Sequence, residues 1–341
     1  MKKLRVLALI PEGNVPPERM DGLSDRALMD VKMEFDVIST LRDLGHEIRT
    51  VDVTSNLSLI RDQILEWEPH IAFNMLEDFH GISVYDQHVV SYLELMRTPY
   101  TGCNPRGFML ARDKVLSKKL LTFHRIRVPH FEFFQIGRKI RRPKRLAFPL
   151  LVKSATEESS TGISQASVVK SDEDLEDRVR FIHEHVGTDA LAEQYIVGRE
   201  LYVSVLGNRR LETLPIWELS FSNLPEGAHA IATERVKFNL ATQRRYGVDS
   251  RLATDLGEEA DAKIRALCKR IYRILSMSGY GRIDLRLTEG GEAYVLEANP
   301  NPDLSSDEEL GMSASAAGYS YEELISKVLA LGLAYKAEWK G

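Results

Sequence analysis

Between Arg282 and Asn299 the chain alternates charge and hydrocarbon with the period of a β-strand, twice over, across one short glycine-bearing link. In GRIDLRL the side chains of Arg282, Asp284 and Arg286 fall on one face and those of Ile283, Leu285 and Leu287 on the other. Along YVLEAN the same rule puts Val295, Glu297 and Asn299 together, with Tyr294, Leu296 and Ala298 opposite. The Thr288-Glu-Gly-Gly-Glu link reads as a hairpin turn, which predicts two antiparallel neighbours with their polar faces side by side. Asp284, Glu297 and Asn299 then converge beside the Arg282 guanidinium. Such a set suits Mg²⁺ and phosphate, because Mg²⁺ takes a few carboxylates plus substrate oxygens and Arg meets phosphate as a planar fork. Spacing alone leaves a second reading open, a solvated hairpin of alternating charge. Two details weigh against that: Asn299 is a poor strand former, and Pro300-Asn301-Pro302 ends the strand abruptly at a loop.

The rest of the chain has room for two or three modules around this hairpin, with 341 residues, 43% hydrophobic and 28% charged. A net charge of −5 with both signs interspersed gives no basic footprint for nucleic acid. No membrane span is visible. The start, MKKLRVLALI, imitates a signal peptide, but its apolar run is short and Pro11-Glu-Gly follows in place of a cleavage site, so a first buried strand is the better reading. Cys103 and Cys268 have no pairing pattern, which fits a reducing cytoplasm.

Strand, helix, strand, helix, strand over Leu4–Ile10, the Val31/Phe35/Ile38/Leu41 period, Ile48–Val53, Ile60–Trp67 and Ile71–Met75 predicts a doubly wound parallel sheet, followed by a helix over Asp86–Met96. A turn-rich stretch from Pro99 to Gly107 marks a boundary. Beyond it the reading is a helix over Arg112–Phe123 and strands at Val128–Gln135, Leu150–Lys153 and Ile163–Val169. A helix capped by Ser171 follows, then strands at Leu191–Tyr195, Leu201–Leu206 and Glu212–Glu218. Residues 221–254 read as one long irregular stretch, of the kind that serves as a lid or binding loop. An α/β (α+β) fold in three units results, over residues 1–100, 101–192 and 193–341.

Lys153 ends a buried strand, where a lysine calls for an anion. The Ser/Thr-rich loop after it, through Ser159, Ser160 and Gly162, lets backbone N–H groups approach phosphate, although a flexible turn would look the same. Glu193-Gln-Tyr195-Ile196-Val-Gly198-Arg-Glu200 could hold a purine between Tyr195 and Ile196, with the two acids accepting hydrogen bonds; a core aromatic on an edge strand is the alternative. Lys114 and Lys237, taken singly, are ordinary lysines.

Taken in order, Arg112-Asp-Lys114, Leu-Val-Lys153, Glu-Ser159-Ser160-Thr-Gly162-Ile-Ser164, Glu193 through Glu200, Gly281-Arg282-Ile-Asp284 and Glu297-Ala-Asn299 resemble the ATP-grasp superfamily, nearest its D-alanine:D-alanine ligases. With Phe73-Asn-Met-Leu and Pro99-Tyr-Thr-Gly102 the likeness covers nearly the whole chain. It implies an ATP-grasp fold preceded by a preATP-grasp domain, and an ATP-dependent, ADP-forming carboxylate-amine ligase working through an acyl phosphate on an amino acid or dipeptide-like substrate. It further implies ATP phosphates on Lys114, Lys153, Ser159 and Ser160, with adenine and ribose on Glu193, Tyr195, Ile196 and Glu200. Two Mg²⁺ (or Mn²⁺) ions would sit on Asp284, Glu297 and Asn299. Arg282, Ser159 and Lys237 would serve catalysis, Lys237 from a mobile loop over the nucleotide. A homodimer follows by analogy only.

The likeness fails at the amino-acid sites. Glu77 stands where these ligases have a histidine, Asp303 where they have a glycine lining the second-substrate pocket, and Phe238 where they have a tyrosine. Their Gly-Gly-x-Ser-x-Glu loop is unrecognisable in Pro11–Glu18. Glu77 and Asp303 are therefore substrate-pocket candidates. D-alanine:D-alanine ligation proper and a nucleotide-binding regulatory or scaffold protein without turnover remain as alternative readings.

Overall fold

A computed structural model describes residues 2–22, 24–157 and 160–340. Its N-terminal part runs β1 (Arg5–Pro11), α1 (Asp25–Asp43), β2 (Glu47–Val53), α2 (Ser58–Trp67) and β3 (Ile71–Asn74). The strands pair in parallel in the order β2-β1-β3. Alternation along β1 decides what covers each face. Val6, Ala8 and Ile10 pack with Val37, Ile38 and Leu41 of α1, whereas Leu7 and Leu9 pack with Ile60, Ile64 and Trp67 of α2. Helices on both faces make this the doubly wound sheet that the pattern predicts. Gly45, at φ +81°, supplies the left-handed residue that turns the chain from α1 into β2.

Three helices follow, α3 (Asp86–Leu95), α4 (Pro105–Arg112) and α5 (Lys114–Phe123). The single helix expected over Arg112–Phe123 is broken at Asp113, which is extended and whose carboxylate caps the Val115 and Leu116 N–H groups at 2.9 Å each. That break makes Lys114 the first residue of α5.

The second sheet contains β4 (Phe131–Phe134), β5 (Leu150–Ser154), β6 (Val168–Val169) and β7 (Ala190–Gln194), with α6 (Asp172–Phe181) between the last two. Its order is β4-β7-β5-β6, antiparallel throughout. The strand expected from Ile163 shrinks to two residues because Ser164 and Ser167 close a capping box around one 3₁₀ turn.

The third sheet is built from β8 (Arg199–Leu206), β9 (Glu212–Thr213), β10 (Trp217–Phe221), β11 (Val248–Leu252), β12 (Tyr280–Leu287) and β13 (Ala293–Asn299). Its path is β11-β10-β8-β12-β13, with β9 on β8. Between β10 and β11 lie two short helices, α7 (Glu234–Phe238) and α8 (Leu240–Tyr246); α9 (Glu258–Ile274) precedes β12. The stretch 221–254 is therefore not irregular throughout. Thr233 and Asn239 cap its helices, each too short to leave a helical period in the sequence. The chain ends in α10 (Glu309–Ala316) and α11 (Tyr321–Ala334), the latter returning Leu324, Ile325 and Val328 to the core under β1.

The β12–β13 hairpin forms with Arg282 opposite Asn299 and Asp284 opposite Glu297, and then its register shifts. Leu285 faces Val295, so Leu296 is the extra residue of a bulge. Val295 accordingly leaves the polar face to which alternation assigned it and is buried with Leu285 and Ile283. Among the described residues, no helix is long and apolar enough to cross a membrane.

Candidate active site

The second and third sheets wall an open cleft. Lys153 of β5, Glu193 of β7 and Glu200 of β8 line it, with Tyr195 and Ile196 in the link between those last two strands. Asp284 of β12 and Glu297 of β13 lie across from them, and Ser160 and Lys237 come from the two covering segments. The covering segments are joined to each other: the Gly162 N–H donates to Glu234 Oε2 at 2.9 Å, and the Glu234 N–H donates to the Ile163 carbonyl at 3.1 Å. Ser159 lies outside the described residues.

Glu193 is 1% exposed and faces two lysines, Lys118 Nζ at 2.8 Å and Lys153 Nζ at 2.9 Å. Burial opposes its charge, but the lysines prevail and hold its carboxyl below the usual range. Glu200 accepts from the Tyr202 hydroxyl at 2.9 Å and from Arg286 at 2.6 Å. The Tyr195 ring stands edge-on to His229, 5.0 Å between centres, and leaves its neighbour Ile196 buried.

Glu297 is the electrostatic centre. Its Oε2 lies 3.6 Å from Lys114 and 3.9 Å from Lys153, and these two with Lys237 and Arg282 outweigh burial and bring its pKa down to about 2. Asp284, directly opposite, moves the other way, to about 6, because burial outweighs the Arg282 fork that holds both its oxygens at 2.8 and 2.9 Å. Arg282 also bonds Glu309 of α10 at 3.0 Å and lies over the Tyr202 ring. With their partners counted, five cations (Lys114, Lys118, Lys153, Lys237 and Arg282) meet four carboxylates (Glu193, Asp284, Glu297 and Glu309), a small positive surplus that suits a polyanion.

Asn299 Oδ1 accepts from the Asn301 N–H at 2.8 Å, which orients the amide and leaves its oxygen one further acceptor site. Asp284, Glu297 and Asn299 thus offer adjacent hard oxygens. Among the described residues no three His, Cys, Asp or Glu side chains form a metal cage. The set fits a hard divalent ion whose coordination is completed by the oxygens of a bound phosphate.

The turn after Asn299 meets the loop after β3. Asn301 Nδ2 donates to the Leu76 carbonyl at 2.9 Å, and its Oδ1 accepts from the Tyr280 hydroxyl at 3.2 Å. Glu77 and Asp303, distant in sequence, are brought to one region in this way. Glu34 of α1 joins them. It is 3% exposed, and its pKa is pushed to about 7 by burial and, further, by the charges of Glu77 and Asp303. Burial raises Asp303 as well, against the 2.7 Å hydrogen bond it accepts from the Ser305 N–H.

Three residues of this site escape sequence reasoning. Lys118 sits one helical turn beyond Lys114 on α5, so the spacing carried a signal for it. Its Nζ meets the Leu296 carbonyl at 2.8 Å and thereby braces the β13 bulge. Arg286 was visible on the polar face of β12, but nothing in the sequence pairs it with Glu200. Glu34 comes from a helix that only the fold brings near.

Residues 122–330 match the family described as D-ala D-ala ligase C-terminus. An uncharacterized protein of Sinorhizobium fredii is 32% identical over 86% of this chain and 85% of its own length. A D-alanine–D-alanine ligase of Desulforudis audaxviator is 30% identical over 92% of this chain and 96% of its own. The crystal structure of a D-alanine–D-alanine ligase from Bacillus anthracis complexed with ATP superposes with a TM-score of 0.75 at 21% identity, covering 98% of both chains. The three-sheet architecture is therefore the ATP-grasp fold with its preceding doubly wound domain, and the chain belongs to the D-alanine–D-alanine ligase family.

Proposed function

We propose that this protein is an ATP-dependent, ADP-forming carboxylate-amine ligase acting on amino-acid or dipeptide-like substrates. The observation that carries the reading is the meeting of Lys114, Lys153, Lys237 and Arg282 around Glu297, a positive field in a cleft whose far end is lined by Tyr195, Ile196, Glu193 and Glu200. ATP fits this polarity, with phosphates among the cations and adenosine toward the β7–β8 link. The three units, divided near residues 100 and 192, belong to the same reading; each contains one sheet, and the sheets favour a second boundary just after β7, which ends at Gln194, over one at 192.

In this reading a substrate carboxylate attacks the γ-phosphorus, ADP leaves, and the amine displaces phosphate from the acyl phosphate to give an amide. Lys114 and Lys153 hold the phosphates in line and offset charge on the transferring group, usually the largest contribution to such a step. Arg282, kept rigid by Asp284 and Glu309, faces the oxyanion of the second step. Asp284, Glu297 and Asn299 would hold Mg²⁺, which supplies Lewis-acid neutralisation of the phosphate oxygens. Lys237 and Ser160 close over the nucleotide and exclude water.

Glu34, Glu77 and Asp303 make the acceptor side acidic, which favours a substrate carrying an ammonium group there over one presenting a second carboxylate. D-alanine as both donor and acceptor is the narrower form of the reading. The test is ADP release with Mg²⁺, ATP and pooled amino acids, dipeptides and small amines, with the new amide identified by mass. ADP should form only when acid and amine are both present, and Glu297→Gln should abolish it. ATP binding with no ADP across the pool would return the protein to a non-catalytic nucleotide binder.

A further inference from the structure

Arg286 is 4% exposed on the floor of the nucleotide cleft. Its guanidinium donates to three acceptors from two separate chain segments: Glu200 Oε2 at 2.6 Å and the Gly198 carbonyl at 2.8 Å in one, and the Ala230 carbonyl in the other. Gly198 belongs to the link between β7 and β8, Glu200 to β8, and Ala230 to the chain leading into α7 and Lys237. The guanidinium carbon also lies 5.9 Å from the centre of the Tyr195 ring. A buried arginine is expensive unless its donors are met, and a lysine could not reach three acceptors in a plane. With Tyr202 on its other oxygen, the Glu200 carboxylate is held at both ends, yet each oxygen keeps acceptor capacity for a further hydroxyl.

We infer that Arg286 is a positioning residue of the nucleotide site, which fixes Glu200 to accept from the ribose hydroxyls and latches the covering segment at Ala230. One guanidinium then sets both sugar discrimination and the seating of the cover. The inference rests on the ATP reading above. A carboxylate whose rotamer is already fixed loses little freedom when it binds a vicinal diol, and lacks one partner when the 2′-hydroxyl is missing.

The experiment measures binding of ATP and of 2′-deoxyATP by calorimetry, and the rate of trypsin cleavage after Arg235, Lys237, Arg244 and Arg245 without nucleotide. It compares the wild type with Arg286→Met, Arg286→Lys, Glu200→Gln and the Arg286→Met/Glu200→Gln pair. The wild type should favour ATP at least tenfold; Arg286→Met should bring the ratio within about twofold of unity and speed cleavage several-fold. The double variant should discriminate no worse than Glu200→Gln alone, because Arg286 acts through Glu200. An unchanged ratio in folded Arg286→Met overturns the Glu200 half, and an unchanged cleavage rate overturns the latch. Should the Met variant fail to fold, Arg286→Lys decides, with a ratio reduced at least threefold expected and an unchanged one counting against the inference. If the wild type binds no ATP, the nucleotide reading fails instead, and the trypsin comparison still judges the latch.

Discussion

Lys118 Nζ lies 2.8 Å from Glu193 Oε2, and each side chain is only 1% exposed. The same ammonium donates to the Leu296 carbonyl, so one residue of α5 joins β7 to the bulge in β13. Burial lowers the pKa of Lys118, and the pairing with Glu193 opposes that. Removing one partner of such a pair leaves a buried charge poorly matched, at a cost of about 3–5 kcal/mol. Lys153 remains on Glu193, so Lys118→Met should fall near the lower end of that range in urea denaturation. The Lys118→Met/Glu193→Gln pair should lose less than the single change. Equal midpoints for wild type and Lys118→Met would contradict the assignment.

Glu34 supplies a pH signature. Its folded pKa of about 7 lies above its ordinary 4.5, so its contribution to stability is fully present below about pH 4.5 and is lost as pH rises through 7. At roughly 1.4 kcal/mol per pKa unit the loss is on the order of 3 kcal/mol. Glu34→Gln removes this dependence, and its stability relative to wild type should rise between pH 4.5 and 7. Parallel stability curves for the two proteins would exclude the effect.

Gly198 has φ +154°, and a Cβ there would meet the Leu287 carbonyl oxygen at 2.2 Å. That neighbour is backbone and cannot swing aside. Gly198→Ala should therefore destabilise by about 1–3 kcal/mol and weaken ATP binding, since the residue links Tyr195 to Glu200. Thermal melting with and without ATP checks both effects.

Asp303 tests the acceptor side. Asp303→Asn should lower kcat/KM for an amine substrate about tenfold or more, the value of one charged hydrogen bond, while leaving KM for ATP within about twofold. A matching rise in KM for ATP would place Asp303 in the nucleotide site instead.

What the sequence revealed and what it hid follow from the range of the interactions. The faces of Arg282, Asp284, Ile283 and Leu285 were legible because strand alternation is local. The place of Val295 was not, because it turns on a bulge at Leu296 whose carbonyl is met by Lys118, far away in the chain. Asp113 hid a helix break inside an unbroken apolar period, since capping competes with periodicity over only a few residues. Lys114, Lys153, Glu193 and Glu297 carried motifs whose order was informative, yet their ion pairing with one another needed three-dimensional contact. Glu77 and Asp303 were legible as pocket candidates through the resemblance, whereas Glu34 joins them by tertiary packing alone and left no signal in the sequence.

The most direct test of the account follows one oxygen atom. With the acid identified from the substrate pool and its carboxyl group labelled with oxygen-18, turnover with ATP and the amine should place one labelled oxygen in each inorganic phosphate released, because the acyl phosphate is cleaved at its carbonyl carbon. Unlabelled phosphate, or label recovered in AMP, would contradict an ADP-forming ligase that works through an acyl phosphate.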